Sequence, residues 1–189
     1  MLFRSAIVAA VKEARLRVRE APKSDAAWGR LGMILMIHDF RTQGNICLAQ
    51  AERLNPREPR WPYYQALGAL LHAEPEAALP KLERTVALCG DETDAPRVRL
   101  AELLLSQNRL EEAEKQLQHL LRINPRHPRA QLGMARLLSQ RGDYRASLEP
   151  LALAQNDSRT RRAAHQLLDR KSTRLNSSHI QKSRMPSSA

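Results

Sequence analysis

Apolar residues recur through most of this chain at intervals of three and four, the spacing that places them on one face of an α-helix. The apolar runs end at four helix-stopping residues, which are Pro22, Pro56, Gly90 and Pro125. Successive stops are 34, 34 and 35 residues apart. The pattern therefore predicts a helical unit that repeats with a period of about 34 residues.

Aligning the segments on these stops brings small and apolar residues into columns. One small column holds Gly32, Gly68, Ala101 and Ala135, and the other holds Gly44, Ala78, Ala113 and Ser147. A leucine column holds Leu48, Leu82, Leu117 and Leu151. Two helices can approach closely only where their side chains are small. Each unit is therefore predicted to be a pair of antiparallel helices joined by a leucine seam.

The same alignment predicts how the chain is organised. A first helix covers residues 4–20 and has the register of a second helix of a pair. The helix pairs that follow cover residues of about 25–58, 59–91, 94–127 and 128–158, and a partial helix covers 158–168. We interpret this array as a fragment of a longer helical solenoid. The turn of the second pair, around residues 72–75, is expected to be two residues shorter than the others.

These columns resemble the tetratricopeptide repeat, whose signature is W-x2-L-G-x2-Y followed by Ala, an apolar residue, Ala and Pro. The matching residues are Trp28, Leu31, Gly32 and Pro56, then Tyr64, Leu67, Gly68 and Ala78, then Leu100, Ala101, Ala113 and Pro125, with Tyr144 in the last turn. The resemblance implies an all-α, right-handed superhelical solenoid of antiparallel helix pairs. The chain looks like part of a larger protein of bacterial type.

The last 21 residues, 169–189, break the periodicity and contain six Ser. Their text closely resembles a translated sequencing adapter, so we interpret them as a non-native, disordered tail that is dispensable for stability. The whole chain carries a formal net charge of +11. Without the tail the net charge is +7, so more than a third of the apparent basicity carries no information about partners.

The sequence contains no motif typical of an enzyme, a cofactor site or a metal site. It has no Gly-rich phosphate loop, and outside the tail no two histidines lie three or four residues apart. His127, between two prolines, is expected to be a solvated linker residue. Cys47 and Cys89 are expected to be small buried residues; they fit the reducing cytoplasm, with the bacterial periplasm left open. No apolar run is long enough to cross a membrane.

The resemblance implies that the first helix of each pair lines a concave groove, which receives a peptide or a partner helix. The positions predicted to line it are Met33, Met36, Gln65, Ala69, His72, Val98, Glu102, Leu105, Leu132 and Arg136. Met33 and Met36 could instead fill gaps in the core. Trp61 and Tyr63 are expected to be anchors at the groove mouth.

The predicted function is therefore a protein-interaction scaffold without enzymatic activity. The alternative is a nucleic-acid-binding helical array that uses basic clusters near residues 12–19 and 159–162. Low aromatic content, 4% of residues, and separation of the two clusters along the chain favour the scaffold.

Overall fold

The computed structural model describes residues 2–169, and in that range the chain folds into helices and contains no strand. The helices are α1 (Leu2–Glu20), α2 (Asp25–Ile37), α3 (Arg41–Leu54), α4 (Arg60–Leu71), α5 (Pro75–Cys89), α6 (Ala95–Ser106), α7 (Leu110–Ile123), α8 (Pro128–Gln140), α9 (Leu148–Gln155) and α10 (158–169). The predicted all-α fold is confirmed. Of the tail predicted over residues 169–189, Asp169 ends α10 and is therefore not disordered as expected, and the remainder, 170–189, lies outside the described residues.

The chain divides between Pro96 and Arg97 into two compact units. The first unit contains α1 to α5. In it, Gly32 of α2 faces α3 so closely that a Cβ atom there would lie 2.8 Å from Cγ of Leu48 and 3.0 Å from the Gly44 carbonyl oxygen. Gly44 in turn faces Met36, one turn further along α2. The two helices are therefore antiparallel, and the small column lies at their crossing, as predicted.

The second unit contains most of α6, together with α7 to α10. Gly133 of α8 packs on Leu117 of α7, and an added Cβ would lie 2.5 Å from Cδ2 of that leucine. A further cluster of buried side chains joins α8, α9 and α10, and it consists of Leu132, Ala135, Leu151, Ala154 and Ala164. In both units the leucine column is buried, which confirms the predicted seam.

The turns within the pairs share one backbone feature. Each contains a residue with positive φ, and these are Asp39 (65°), Ala73 (58°), Asn108 (58°) and Gly142 (86°). Three turns are equally long and cover residues 38–40, 72–74 and 107–109. The expectation of a shortened second turn was therefore wrong, because the alignment placed Gly68 in the column of Gly32. Counted back from the turns, buried Ala66 occupies that column with Gly32, Ala101 and Ala135, and Gly68 faces Met36 of the preceding pair.

The fourth turn is longer than the others, since residues 144–147 form turns and α9 begins only at Leu148. The hydroxyl of buried Ser147 donates a hydrogen bond to the Tyr144 carbonyl oxygen at 2.7 Å. A side-chain hydrogen bond to a nearby carbonyl oxygen competes with the backbone hydrogen bonds of a regular helix. Tyr144 lies in the turn, as predicted.

Ala73 is the one residue of these four turns that combines positive φ with an apolar Cβ. We expect Ala73→Gly to raise the free energy of unfolding by about 0.5–1 kcal/mol, because glycine adopts this conformation without steric cost. Ala49→Gly, at an exposed position inside α3, should lower it by a similar amount. Urea unfolding of both variants measures the difference, and destabilisation by Ala73→Gly would contradict the prediction.

Candidate functional site

An apolar face is exposed on the first helices of the first unit, α2 and α4. Ile37 ends α2 with 76% of its surface exposed, and Leu71 ends α4 with 73% exposed. The two residues are 34 positions apart and precede equivalent turns. Met33 lies one turn before Ile37 on α2 and is half-buried. We call Met33, Ile37 and Leu71 the first-helix face.

The polar residues predicted beside this face are held by the protein itself. Gln65 donates a hydrogen bond from Nε2 to Oε2 of Glu52 at 2.8 Å. The imidazole of His72 is mostly buried, and its Nε2 lies 3.9 Å from Oδ1 of Asp39. Ala69, which lies between Gln65 and His72 in the sequence, is half-buried. Gln65 therefore links α4 to α3, whereas Nε2 of His72 makes no hydrogen bond within the described residues.

Glu52 is the centre of a charged network that joins three helices. Besides the bond from Gln65 of α4, its carboxylate pairs with Nζ of Lys81 at 3.2 Å and Nε of Arg84 at 2.8 Å, both on α5. Burial alone would raise the pKa of Glu52. The bond from Gln65 and the two cations outweigh burial, and the net effect is to lower this pKa.

Met36 belongs to the core, and its prediction as a groove residue was wrong. It is only 8% exposed and packs with Leu48 and Trp61. Its Cε atom occupies the space over Gly68, 1.9 Å from where a Cβ atom would be. Because glycine leaves room at that point, the flexible thioether enters the helix crossing instead of facing a partner.

Trp61 is also a core residue, so its prediction as an anchor at the groove mouth was wrong. Its indole is 1% exposed and lies against the backbone of Gly29. Its Nε1 donates a hydrogen bond to Oδ2 of Asp25 at 3.1 Å, and Asn55 donates to the same oxygen at 3.0 Å. Tyr63, the second predicted anchor, is half-buried.

Most of the groove positions predicted in the second unit are buried. Val98, Leu105 and Leu132 all lie in the core of that unit, which corrects their prediction as groove residues. The reason is that α6 has apolar residues around most of its circumference, and such a helix is covered on several sides. Leu132 packs in the cluster that joins α8 to α9 and α10.

The charged groove positions of the second unit differ in their contacts. Glu102 receives two hydrogen bonds from Nη2 of Arg129, at 2.8 and 2.9 Å, which tie α6 to α8. Arg136, the last predicted position, is half-buried on α8. Glu102 therefore stabilises the packing of its own unit.

Ile37 and Leu71 were missed from the sequence, although a signal was present. Each follows an apolar residue of the first helix by four positions, Met33 and Leu67 respectively, and the two are 34 residues apart. They were not predicted because they are the last residues of their helices, where the periodic pattern ends and the turn begins.

Three further predictions concern residues with reactive side chains. His127 is buried and its Nδ1 accepts the Ala130 N–H at 3.1 Å, so it caps α8 and the expectation of a solvated linker residue was wrong. Cys47 and Cys89 are buried as predicted. Burial raises the pKa of both thiols, which makes them less nucleophilic.

Residues 2–169 contain no group of three or more His, Cys, Asp or Glu side chains arranged to hold a metal ion. Within the same range, none of the helices has the length and apolarity needed to cross a lipid bilayer.

Comparisons with known proteins agree with this architecture. Residues 94–137 match the family model of the tetratricopeptide repeat. No curated protein matches the sequence. Among solved structures, YrrB, described as a TPR protein with an unusual peptide-binding site, is 17% identical with a TM-score of 0.73, over 87% of this chain and 84% of YrrB.

Two further solved structures show the same fold. MamA from Desulfovibrio magneticus RS-1 is 15% identical with a TM-score of 0.69, and the match covers 82% of this chain and 87% of that one. A chain of the APC/C hetero-tetramer Cut9–Hcn1 is 12% identical with a TM-score of 0.64, over 79% of this chain and 28% of that one. The helix-pair fold predicted from the repeat signature is confirmed.

Proposed function

We propose, since this chain is a tetratricopeptide-repeat protein, that it is a protein-interaction scaffold whose first-helix face binds a peptide or a partner helix. Its role is binding and not catalysis. The two buried thiols, Cys47 and Cys89, fit action in a reducing compartment such as the cytoplasm.

The observation that carries this proposal is the exposure of Ile37 and Leu71 at equivalent positions of α2 and α4. Neither side chain is needed for the core, because each leaves about three quarters of its surface in water. Large aliphatic residues exposed at neighbouring repeats are typical of an interface, which gains free energy when a partner covers them.

The neighbours of these residues support recognition of an apolar segment. Met33 is half-buried beside Ile37, and methionine adapts to side chains of different shapes. Gln65 is held in place by Glu52, and the mostly buried imidazole of His72 lies near Asp39. A polar border around an adaptable apolar centre favours a peptide that presents one or two aliphatic side chains. YrrB, whose description includes a peptide-binding site, supports the same class of partner.

The proposal is tested with a random peptide library displayed on phage and selected on the full chain. Enriched peptides are then synthesised and their affinity is measured by fluorescence anisotropy. We expect the double variant Ile37→Glu/Leu71→Glu to weaken binding by about tenfold or more, because each Glu replaces apolar contact with a charge that must be desolvated.

The matched control is Ile123→Glu/Leu148→Glu, which changes two exposed apolar residues of the second unit. It should change the affinity by about twofold or less. Equal binding to both double variants would contradict the proposal. So would tighter binding of single-stranded RNA than of any selected peptide, with an affinity that falls steeply as salt is raised.

A further inference from the structure

A pocket of about 370 Å³ lies between α1 and the region where α2 turns into α3. Its walls are mainly apolar and include Val8, Val11, Leu35 and Phe40. Its volume is near the lower end of the range for ligand sites, about 300–1,000 Å³. The pocket is on a different surface from the first-helix face, since Ile37 and Leu71 do not line it.

The pocket has a fixed floor and exposed apolar edges. Leu35 at the floor is part of the core cluster that contains Ala14 and Cys47. Val8 and Phe40 at the edges are 52% and 50% exposed. The backbone holds Phe40 in this position, because its N–H donates to the Leu35 carbonyl oxygen at 2.9 Å. Phe40 therefore presents a half-exposed aromatic ring from a fixed backbone position, which suits contact with another molecule.

The charged residues of the pocket have one sign. Lys12 and Arg15 line it, and no carboxylate among the described residues lies within ion-pair distance of either. Arg17, on another face of α1, is different because it pairs with Glu13 at 2.7 Å. Lys12 and Arg15 are three residues apart and thus lie about one helical turn apart.

We propose that this pocket binds an acidic amphipathic helix of another protein. The partner inserts one aliphatic or aromatic side chain between Val8 and Phe40, and two carboxylates about one turn apart pair with Lys12 and Arg15. The net charge of +7 outside residues 169–189 opposes docking of a second copy of this chain and favours an acidic partner.

The probes are three synthetic helical peptides of about 14 residues that share the same Leu and Phe positions. Their flanking positions carry Glu, Gln or Lys. Each peptide is added to the full chain with ¹³C-labelled methyl groups, and the shifts of the Ile, Leu and Val methyl resonances are followed by NMR.

We expect the Glu peptide to shift the resonances of Val8, Val11 and Leu35 and to bind about tenfold more tightly than the Lys peptide. The variant Lys12→Glu/Arg15→Glu should reverse that preference. Phe40→Ser should weaken all three peptides, because it removes one wall of the pocket. Circular dichroism of each variant checks that the helices are retained.

The matched control is Arg19→Glu/Lys23→Glu, which makes the same change of charge at exposed positions outside the pocket. It should change the affinity for the Glu peptide by about twofold or less.

Several results would contradict peptide binding at this pocket and leave the proposal for the first-helix face unchanged. One is a Glu peptide that shifts Ile37 and Leu71 instead of Val8 and Val11, and another is equal binding to the two charge-reversed variants. A wild-type dimer in sedimentation velocity that Phe40→Ser dissociates would identify a second copy as the occupant. Single-stranded RNA that shifts the same methyl groups more strongly would identify a nucleic acid.

Discussion

The substitution Gly29→Ala is expected to lower the stability of the first unit by about 2 kcal/mol, although alanine is the better helix former. A Cβ atom at residue 29 would lie 2.0 Å from Cζ3 and 2.3 Å from Cη2 of the Trp61 indole. The indole cannot easily move, because it is buried and its Nε1 donates to Asp25. The steric cost therefore exceeds the helix propensity that alanine gains.

Gly68→Ala is the control for this prediction, since its Cβ would also lie about 2 Å from a side-chain atom. That atom is the terminal Cε of Met36, which can rotate away. Urea unfolding should therefore show a change of about 1 kcal/mol or less for Gly68→Ala. Equal losses at the two glycines would show that the rigidity of the neighbouring side chain is unimportant.

A double-mutant cycle tests the contact directly. Trp61→Ala alone should cost about 3–5 kcal/mol, because it leaves a cavity in the core. Adding Gly29→Ala to that variant should then cost little or increase stability, since the ring that it would strike is gone. Additive effects of the two substitutions would contradict the contact as the cause.

The substitution Glu52→Gln is expected to destabilise the first unit by about 1–2 kcal/mol at neutral pH. The amide loses the attraction of Lys81 and Arg84, while it can still accept the hydrogen bond from Gln65. Both cations are partly exposed, so water compensates for part of the loss. Thermal or urea unfolding measures the difference.

The effect of Glu52→Gln should depend on pH with a defined sign. The pKa of Glu52 is lower in the folded chain than its usual value of about 4.3 in an unfolded one. Its stabilising contribution is therefore complete above that usual value and is lost as the pH falls through the folded pKa. Wild type and variant should converge in acid. Glu83→Gln, at an exposed position of α5, should stay within about 0.5 kcal/mol of wild type at every pH.

The sequence was sufficient for the fold, because the residues at the helix crossings are set within each pair. Gly32 faces Gly44 and Leu48 only 12 and 16 residues further on, so one period of the pattern contains all three. The turns were harder to predict. Ala73 adopts positive φ, a conformation that the sequence would have indicated only if a glycine or asparagine stood at this position.

The candidate site was harder to predict from the sequence, because the exposure of its residues depends on contacts with the neighbouring helix pair. Met33 and Met36 are the same residue type on the same helix, yet Met36 is buried because Gly68 of the following pair leaves space for it. Trp61 is buried for a similar reason, against Gly29 of the preceding pair. Assigning groove residues from one repeat at a time therefore misses contacts between neighbouring pairs.

The contact between Gly29 and Trp61 also limits how this protein can change in evolution and in engineering. In the positions that correspond to Gly29, counted back from the turns, the later copies have Tyr63, Val98 and Leu132. A copy of that kind placed before Trp61 would put a side chain where the indole lies. The first two pairs therefore depend on each other at this contact. Recombination, duplication or repeat swapping that separates them requires a second substitution at one of the two positions.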